Sequence, residues 1–338
     1  MKAIVQTEYG SPDVLSLQEV DKPVVTANGV LVRVRAASVN AGDWHLMRGD
    51  PFLSRLMFGG ILKPKIQILG MDIAGSVEAI GKDVTQFQIG DEVYGDLSGC
   101  GFGAFAEYVC ATAAALVLKP TNISFEQAAT VPCAALTALQ GLRDCGGIQS
   151  GQKVLINGAS GGVGSFAVQI AKSFGAEVTA VCSRNKIEMI RSIGADHIID
   201  YTQTDVTKNG QQYDLILDAA AYRSVFDYAP ILKPDGTYVL IGGSIPRLFQ
   251  VLLFGSVISR VMNRKLKCLT AKPNRFPQGK APPTDLVILK DMIEAGKISP
   301  FIDRTYSLSE VPTAICQLEQ RQVRGKVAIS VRSGEKIY

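Results

Sequence analysis

Few folds accommodate the run Val154-Leu-Ile-Asn-Gly-Ala-Ser-Gly-Gly-Val-Gly164, an apolar stretch that breaks into glycines and continues as Ser165-Phe-Ala-Val-Gln-Ile-Ala-Lys172. The first part reads as a buried strand and the last as an amphipathic helix. A turn without side chains at such a junction lets backbone approach a pyrophosphate, and the free N–H groups and dipole of the helix N-terminus favour its charge. The spacing of Gly158, Gly161 and Gly164 departs from the literal G-x-G-x-x-G pattern, so the context of strand, turn and helix carries the reading.

Downstream of this turn, apolar runs alternate with helical spacing. Candidate strands are Lys153 to Asn157, Glu177 to Cys182, His197 to Tyr201, Tyr213 to Asp218 and Thr237 to Ile241. Candidate helices are Val163 to Phe174, Lys186 to Ile193 and Tyr222 to Leu232. Such alternation predicts an α/β fold with a doubly wound parallel sheet. Before it, short alternating runs (Ala3 to Gln6, Val30 to Arg35, Ala74 to Ile80, Phe105 to Val109) predict a strand-rich domain. The tail from about Asp285 holds too little for a core of its own. The expected division is 1–123, 124–272 and 273–338, the last returning to the first domain. Two domains suit a chain of 338 residues.

The second strand of the α/β part decides which dinucleotide fits. An acid at its end would hold a ribose 2′-hydroxyl. Glu177-Val-Thr-Ala-Val-Cys182 instead ends in Ser183-Arg184, a hydroxyl and a guanidinium suited to a 2′-phosphate. NADPH is therefore expected over NADH. The plainer alternative is that Arg184 is a solvated surface cation.

A net charge of +4 argues against nucleic acid as a partner. The seven cysteines show no C-x-x-C spacing, and the N-terminus shows no signal-peptide pattern, so a cytoplasmic protein with reduced thiols is expected. Between Asp235 and Asp285 bases occur without acids, interleaved with the apolar run Leu248 to Ser259. For 247–267 three readings stand: a packed helix at the substrate cleft or dimer face, a peripheral contact with anionic lipid, or both.

Together with the glycine turn, Met1-Lys-Ala, Ala37-Ser-Val-Asn-Ala-Gly-Asp43, Gly90-Asp-Glu-Val-Tyr-Gly95, Thr137 with Ala138-Leu139, Ile193-Gly-Ala-Asp196 and Gly325-Lys-Val-Ala-Ile329 make the chain resemble the medium-chain dehydrogenase/reductase superfamily, in its zinc-free quinone oxidoreductase branch. The resemblance implies a GroES-like barrel domain around a Rossmann domain, nicotinamide in the cleft between them, and a homodimer. Zinc members carry Cys where Asn40 stands and Gly-His-Glu where Gly70-Met71-Asp72 stands. With two histidines, His45 and His197, that have no partner at ligand spacing, no metal is expected.

By the same resemblance Asn40 lies at the cleft as polariser or positioner, although an Asn there also ties loops together. Asp43 and Trp44 shape the same loop near the substrate. The resemblance also implies Ser160, Gly161, Gly162 and Val163 on the diphosphate, Thr137 beside the nicotinamide, Tyr201 beside the adenosine phosphate, Ala219 and Ala220 under the adenine-side ribose, Ile241 and Gly242 at the nicotinamide, and Lys326 at its far end. The expected reaction is hydride transfer from NADPH to a quinone or an α,β-unsaturated carbonyl. The alternatives are an ene-reductase for reactive enals and enones, and a non-catalytic NADPH-binding sensor or adaptor.

Overall fold

The computed structural model describes residues 1–58, 60–242, 247, 250–251, 253–254, 263–269 and 284–331. It divides into two compact units: 1–133 with the described residues of 284–294 and 300–331, and 134–242 with the described residues up to 269 and with 295–299. Residues 124–133 thus fall in the first unit, ten later than the sequence reading placed the division. The reason is local. The short helix Phe125–Ala129 packs on the strands Gly29–Val39 and Asp72–Ile80, and the Cys133 N–H donates to Asp72 Oδ1 (2.9 Å).

The second unit holds a six-stranded parallel sheet ordered His197–Asp200, Glu177–Cys182, Lys153–Asn157, Tyr213–Asp218, Leu232–Ile241, Lys265–Leu269. Val154, Leu155, Ile156, Leu217 and Val239 are buried without alternation, as expected of a sheet covered on both faces. The strand order reverses between Asn157 and Asp218, and ligands bind at the carboxyl ends of strands at such a switch point.

Two expectations change here. The helix sought over Tyr222 to Leu232 shrinks to Val225–Tyr228. Ser224 caps it, and Pro230, which lacks an N–H, diverts the chain into one tight turn, Ala229–Ile231, before the next strand. In 247–267, Lys265 to Lys267 belong to the sixth strand and Val251 is buried in the core, while Leu253 and Phe254 are exposed. The rest of that segment, apart from Arg247, Gln250, Asn263 and Arg264, lies outside the described residues.

In the first unit the strands are largely antiparallel, in the order Ile302–Ser307, Lys326–Ser330, Gly29–Val39, Asp72–Ile80, Glu92–Asp96, Leu116–Leu118, with Tyr108–Thr112 also on Gly29–Val39. The strand expected at Phe105 to Val109 thus begins three residues later. A separate hairpin pairs Lys2–Gln6 with Leu15–Glu19. Antiparallel register decides which strand ends share an edge. Ser38 lies opposite Asp72, Asp72 opposite Asp96, and Val39 opposite Val327, so the polar ends of four strands meet at one edge of the sheet.

Candidate active site

In the second unit the three glycines of the turn do different work. Gly158 has φ +77, a conformation L side chains rarely adopt, and a Cβ there would also press on Ala220 at 3.0 Å. At Gly164 a Cβ would lie 2.1 Å from the Gly158 carbonyl oxygen, so this glycine lets the helix Gly162–Ser173 pack on the turn. Gly161 needs glycine for neither reason: its φ is −84, and among the described residues a Cβ would meet only the Gly158 carbonyl oxygen at 3.5 Å. Bare backbone at Gly161 is therefore left over from the packing of the turn. It is the kind of cradle that a diphosphate fills, at a helix N-terminus with free N–H groups.

Beneath the turn, Asp218 ties the switch point together. It is fully buried and accepts hydrogen bonds from Asn157 Nδ2 (2.7 Å), the Tyr238 hydroxyl (2.7 Å) and the Ala220 and Ala221 N–H groups (3.2 and 2.8 Å). It thereby fixes the loop of Ala219 and Ala220 beside Gly158. Ser183 and Arg184 follow the second strand as expected, with Arg184 exposed and making no ion pair with a described residue. Tyr201, 57% exposed, reaches the same place because its N–H donates to the Cys182 carbonyl (3.1 Å). Gly242 is exposed with φ +67, whereas Ile241 is buried close to Gly141. Thr137 is half-buried in the helix Pro132–Gln140.

The polar edge of the first unit gathers Asn40, Asp43 and Lys326. Asn40 donates from Nδ2 to Asp72 Oδ2 (2.9 Å), and its Oδ1 accepts from the Lys326 ammonium, which also donates to the Val39 carbonyl (3.3 Å) and lies 3.7 Å from Asp72. Ser38 donates to the same Asp72 oxygen (2.9 Å). Lys326 is 3% exposed and Asp72 not at all, so each charge relies on the other for compensation. Asn40 therefore ties the loop through both ends of its amide and keeps one N–H unspent.

Asp43, read from sequence as near the substrate, is fully buried and committed to backbone. Its oxygens accept from the Asn40 N–H (2.8 Å) and the Gly70 N–H (3.2 Å), forming a capping box on the helix Ala41–Arg48. Burial pushes its carboxyl up to about 7 against the pull of the Asn40 N–H, with the Asp72 charge adding to the rise. Burial and the charge of Asp72 opposite push Asp96 up to about 6. Burial likewise raises Asp72, while Lys326 and hydrogen bonds from Asn40, Cys133 and Ser38 pull it back. Trp44 is half-buried and stacks on His45 at 3.6 Å.

Sequence reasoning named Asn40, Asp43 and Lys326 without their connection, and missed Asp72, Asp96 and Ser38 as members of one network. One signal was available: an acid opening the apolar strand Asp72-Ile-Ala-Gly must have a buried partner.

Comparison with known proteins agrees with both units. Residues 26–121 match the alcohol dehydrogenase GroES-like domain and residues 193–329 the zinc-binding dehydrogenase family. The mouse NAD(P)H oxidoreductase RTN4IP1, mitochondrial, is 34% identical over 98% of this chain and 89% of its own. The Arabidopsis thaliana NADPH-dependent alkenal/one oxidoreductase, chloroplastic, is 32% identical over 97% of this chain and 79% of its own. The solved quinone oxidoreductase of Coxiella burnetii superposes with a TM-score of 0.85 at 30% identity, covering 98% of this chain and 99% of that one.

Proposed function

This chain is an oxidoreductase of the medium-chain dehydrogenase/reductase superfamily, and from that premise we propose that it reduces a quinone or an α,β-unsaturated carbonyl with NADPH and without zinc. The observation that carries the reading is the bare, unobstructed backbone at Gly161 ahead of a helix N-terminus, with a guanidinium at the end of the next strand. These residues fit a dinucleotide phosphate: Ser160, Gly161, Gly162 and Val163 would hold the diphosphate, and Ser183, Arg184 and Tyr201 the 2′-phosphate. When bound, the nicotinamide supplies the hydride.

The residues of the chain bind and orient. Asp218 holds the Ala219–Ala220 loop, and Gly158 and Gly164 shape the turn. Asn40 is held rigid by Asp72 and Lys326, with one N–H left to face the oxygen on which negative charge develops. Donors fixed before the reaction favour such charge most, because none must reorganise. The zinc-free reading rests on residue chemistry. Asn40 and Met71 offer no zinc thiolate or imidazole, and Asp72, the acid nearby, already faces the Lys326 ammonium, whose charge opposes a second cation. Among the described residues no group of three or more His, Cys, Asp or Glu stands within reach of one ion.

The homodimer and the cytoplasmic setting belong to the same proposal. Among the described residues, no helix is long and apolar enough to cross a membrane. The test is NADPH oxidation, followed by absorbance, with a benzoquinone and with an enal before and after exhaustive chelation. Unchanged turnover is expected. Activity that chelation abolishes and zinc restores contradicts the zinc-free reading, and no oxidation of NADPH with either acceptor contradicts the proposal as a whole.

A further inference from the structure

The helix Phe52–Phe58 of the first unit presents three large apolar side chains to water. Its polar residues face inward: Ser54 Oγ is buried, and Arg55 donates to the carbonyls of Gly49 (2.9 Å), Arg48 (3.4 Å) and Ile61 (3.5 Å) while its guanidinium lies 4.4 Å from the centre of the Tyr9 ring. Three of its apolar residues face outward, Phe52, Leu53 and Leu56, each more than half exposed. Beyond it, Ile61 is 51% and Leu62 89% exposed. A surface helix ordinarily turns its apolar stripe to the core. Here Arg55 and the Tyr9 hydroxyl, which donates to the Gly60 carbonyl (2.7 Å), hold the helix and Gly60 with these apolar side chains outward.

We propose that Phe52, Leu53 and Leu56 of this helix, with residues 60–65, dock the first unit onto an anionic lipid bilayer. Charge selects this occupant. Residues 51–71 contain Arg55, Lys63 and Lys65 and no acid, and both lysines are exposed beside Ile61 and Leu62. Apolar side chains flanked by bases suit the boundary between acyl chains and anionic headgroups. A second copy suits it poorly, because a twofold contact through this patch would bring like charges together with no acid of the patch to pair them.

The test is sedimentation of the full-length protein with vesicles of phosphatidylcholine alone and of phosphatidylcholine mixed with phosphatidylglycerol. Preferential binding to the anionic vesicles is expected. Lys63→Glu/Lys65→Glu should weaken it by more than tenfold, each lost lysine being equivalent to roughly fivefold, and Leu62→Gln should weaken it by roughly tenfold or more. All three positions are exposed, so unfolding curves and NADPH oxidation with a water-soluble quinone should stay at wild-type values. Failure here is thereby distinguishable from failure of the proposed reaction. No binding, equal binding to neutral vesicles, binding that these variants retain but Leu253→Gln loses, or a dimer that Leu62→Gln dissociates in the absence of lipid would each overturn the proposal.

Discussion

At the glycine turn the second unit leaves backbone bare, and among the described residues only the Gly158 carbonyl oxygen, 3.5 Å from a Cβ there, lies beside Gly161. At the polar edge of the first unit, Asp43, Asp72, Asp96 and Lys326 are all buried, and protein groups meet nearly every polar atom of Asn40 and Asp72. The turn depends on side chains that are missing and the edge on side chains that answer one another. A substitution at Gly161 should therefore be felt by a ligand, and one at the polar edge by the fold first. This contrast is sharp enough to be broken by measurement.

The largest effect is expected at Lys326. Lys326→Met leaves Asp72 buried without its counter-charge and should cost about 3 to 5 kcal/mol of stability. The double variant Lys326→Met/Asp72→Asn should recover a large part of it, a coupling of about 1 to 3 kcal/mol in denaturant unfolding. Strict additivity would mean that the two residues do not act as a pair.

Next is the dependence of stability on pH. Asp43 has its carboxyl raised to about 7 in the folded protein and an ordinary value when unfolded, so between pH 4 and 7 the folded state binds more protons. Stability from this group is fully present below the unfolded value and is lost as pH rises through about 7. A shift of this size corresponds to roughly 4 kcal/mol at most. Asp96 adds in the same direction up to about 6. Unfolding curves from pH 4.5 to 8 should show the fall, and Asp43→Asn should flatten its upper part. A slope unchanged in that variant places the titration elsewhere.

A smaller loss is expected at Gly164. Gly164→Ala sets a methyl 2.1 Å from the Gly158 carbonyl and should cost about 1 to 3 kcal/mol of stability through forced displacement of the helix. Gly161→Ala, whose Cβ would meet the Gly158 carbonyl oxygen at an ordinary 3.5 Å, should change stability by less than about 0.5 kcal/mol. Equal losses at the two glycines would remove the distinction between a packing glycine and a ligand glycine.

These differences also explain what was legible in the sequence. The parallel sheet and its turn are written in contiguous stretches, strand by strand, so five of its strands were readable, but Lys265–Leu269, half-exposed at the sheet edge and alternating Lys with apolar residues in a basic segment, was not. Ser183 and Arg184 were readable because their place is set by one strand end. The polar edge was not, because its members lie at positions 38, 40, 72, 96 and 326 and meet only through strand register. Asp43 was placed near the substrate by resemblance, as part of the Asn40 loop, and sequence does not show the Asn40 and Gly70 N–H groups that its oxygens accept from.

The central claim is that the second unit is built to hold the phosphates of NADPH, and the measurement closest to it is a fluorescence titration of wild type, Gly161→Val and Arg184→Ala with NADPH and with NADH, beside their unfolding curves. Arg184→Ala should lose about 1.5 to 3 kcal/mol for NADPH, ten- to hundredfold, and keep its affinity for NADH. Gly161→Val should lose both nucleotides while unfolding like the wild type. NADPH affinity within a few-fold of wild type in Gly161→Val, or equal losses of NADPH and NADH in Arg184→Ala, would contradict the account.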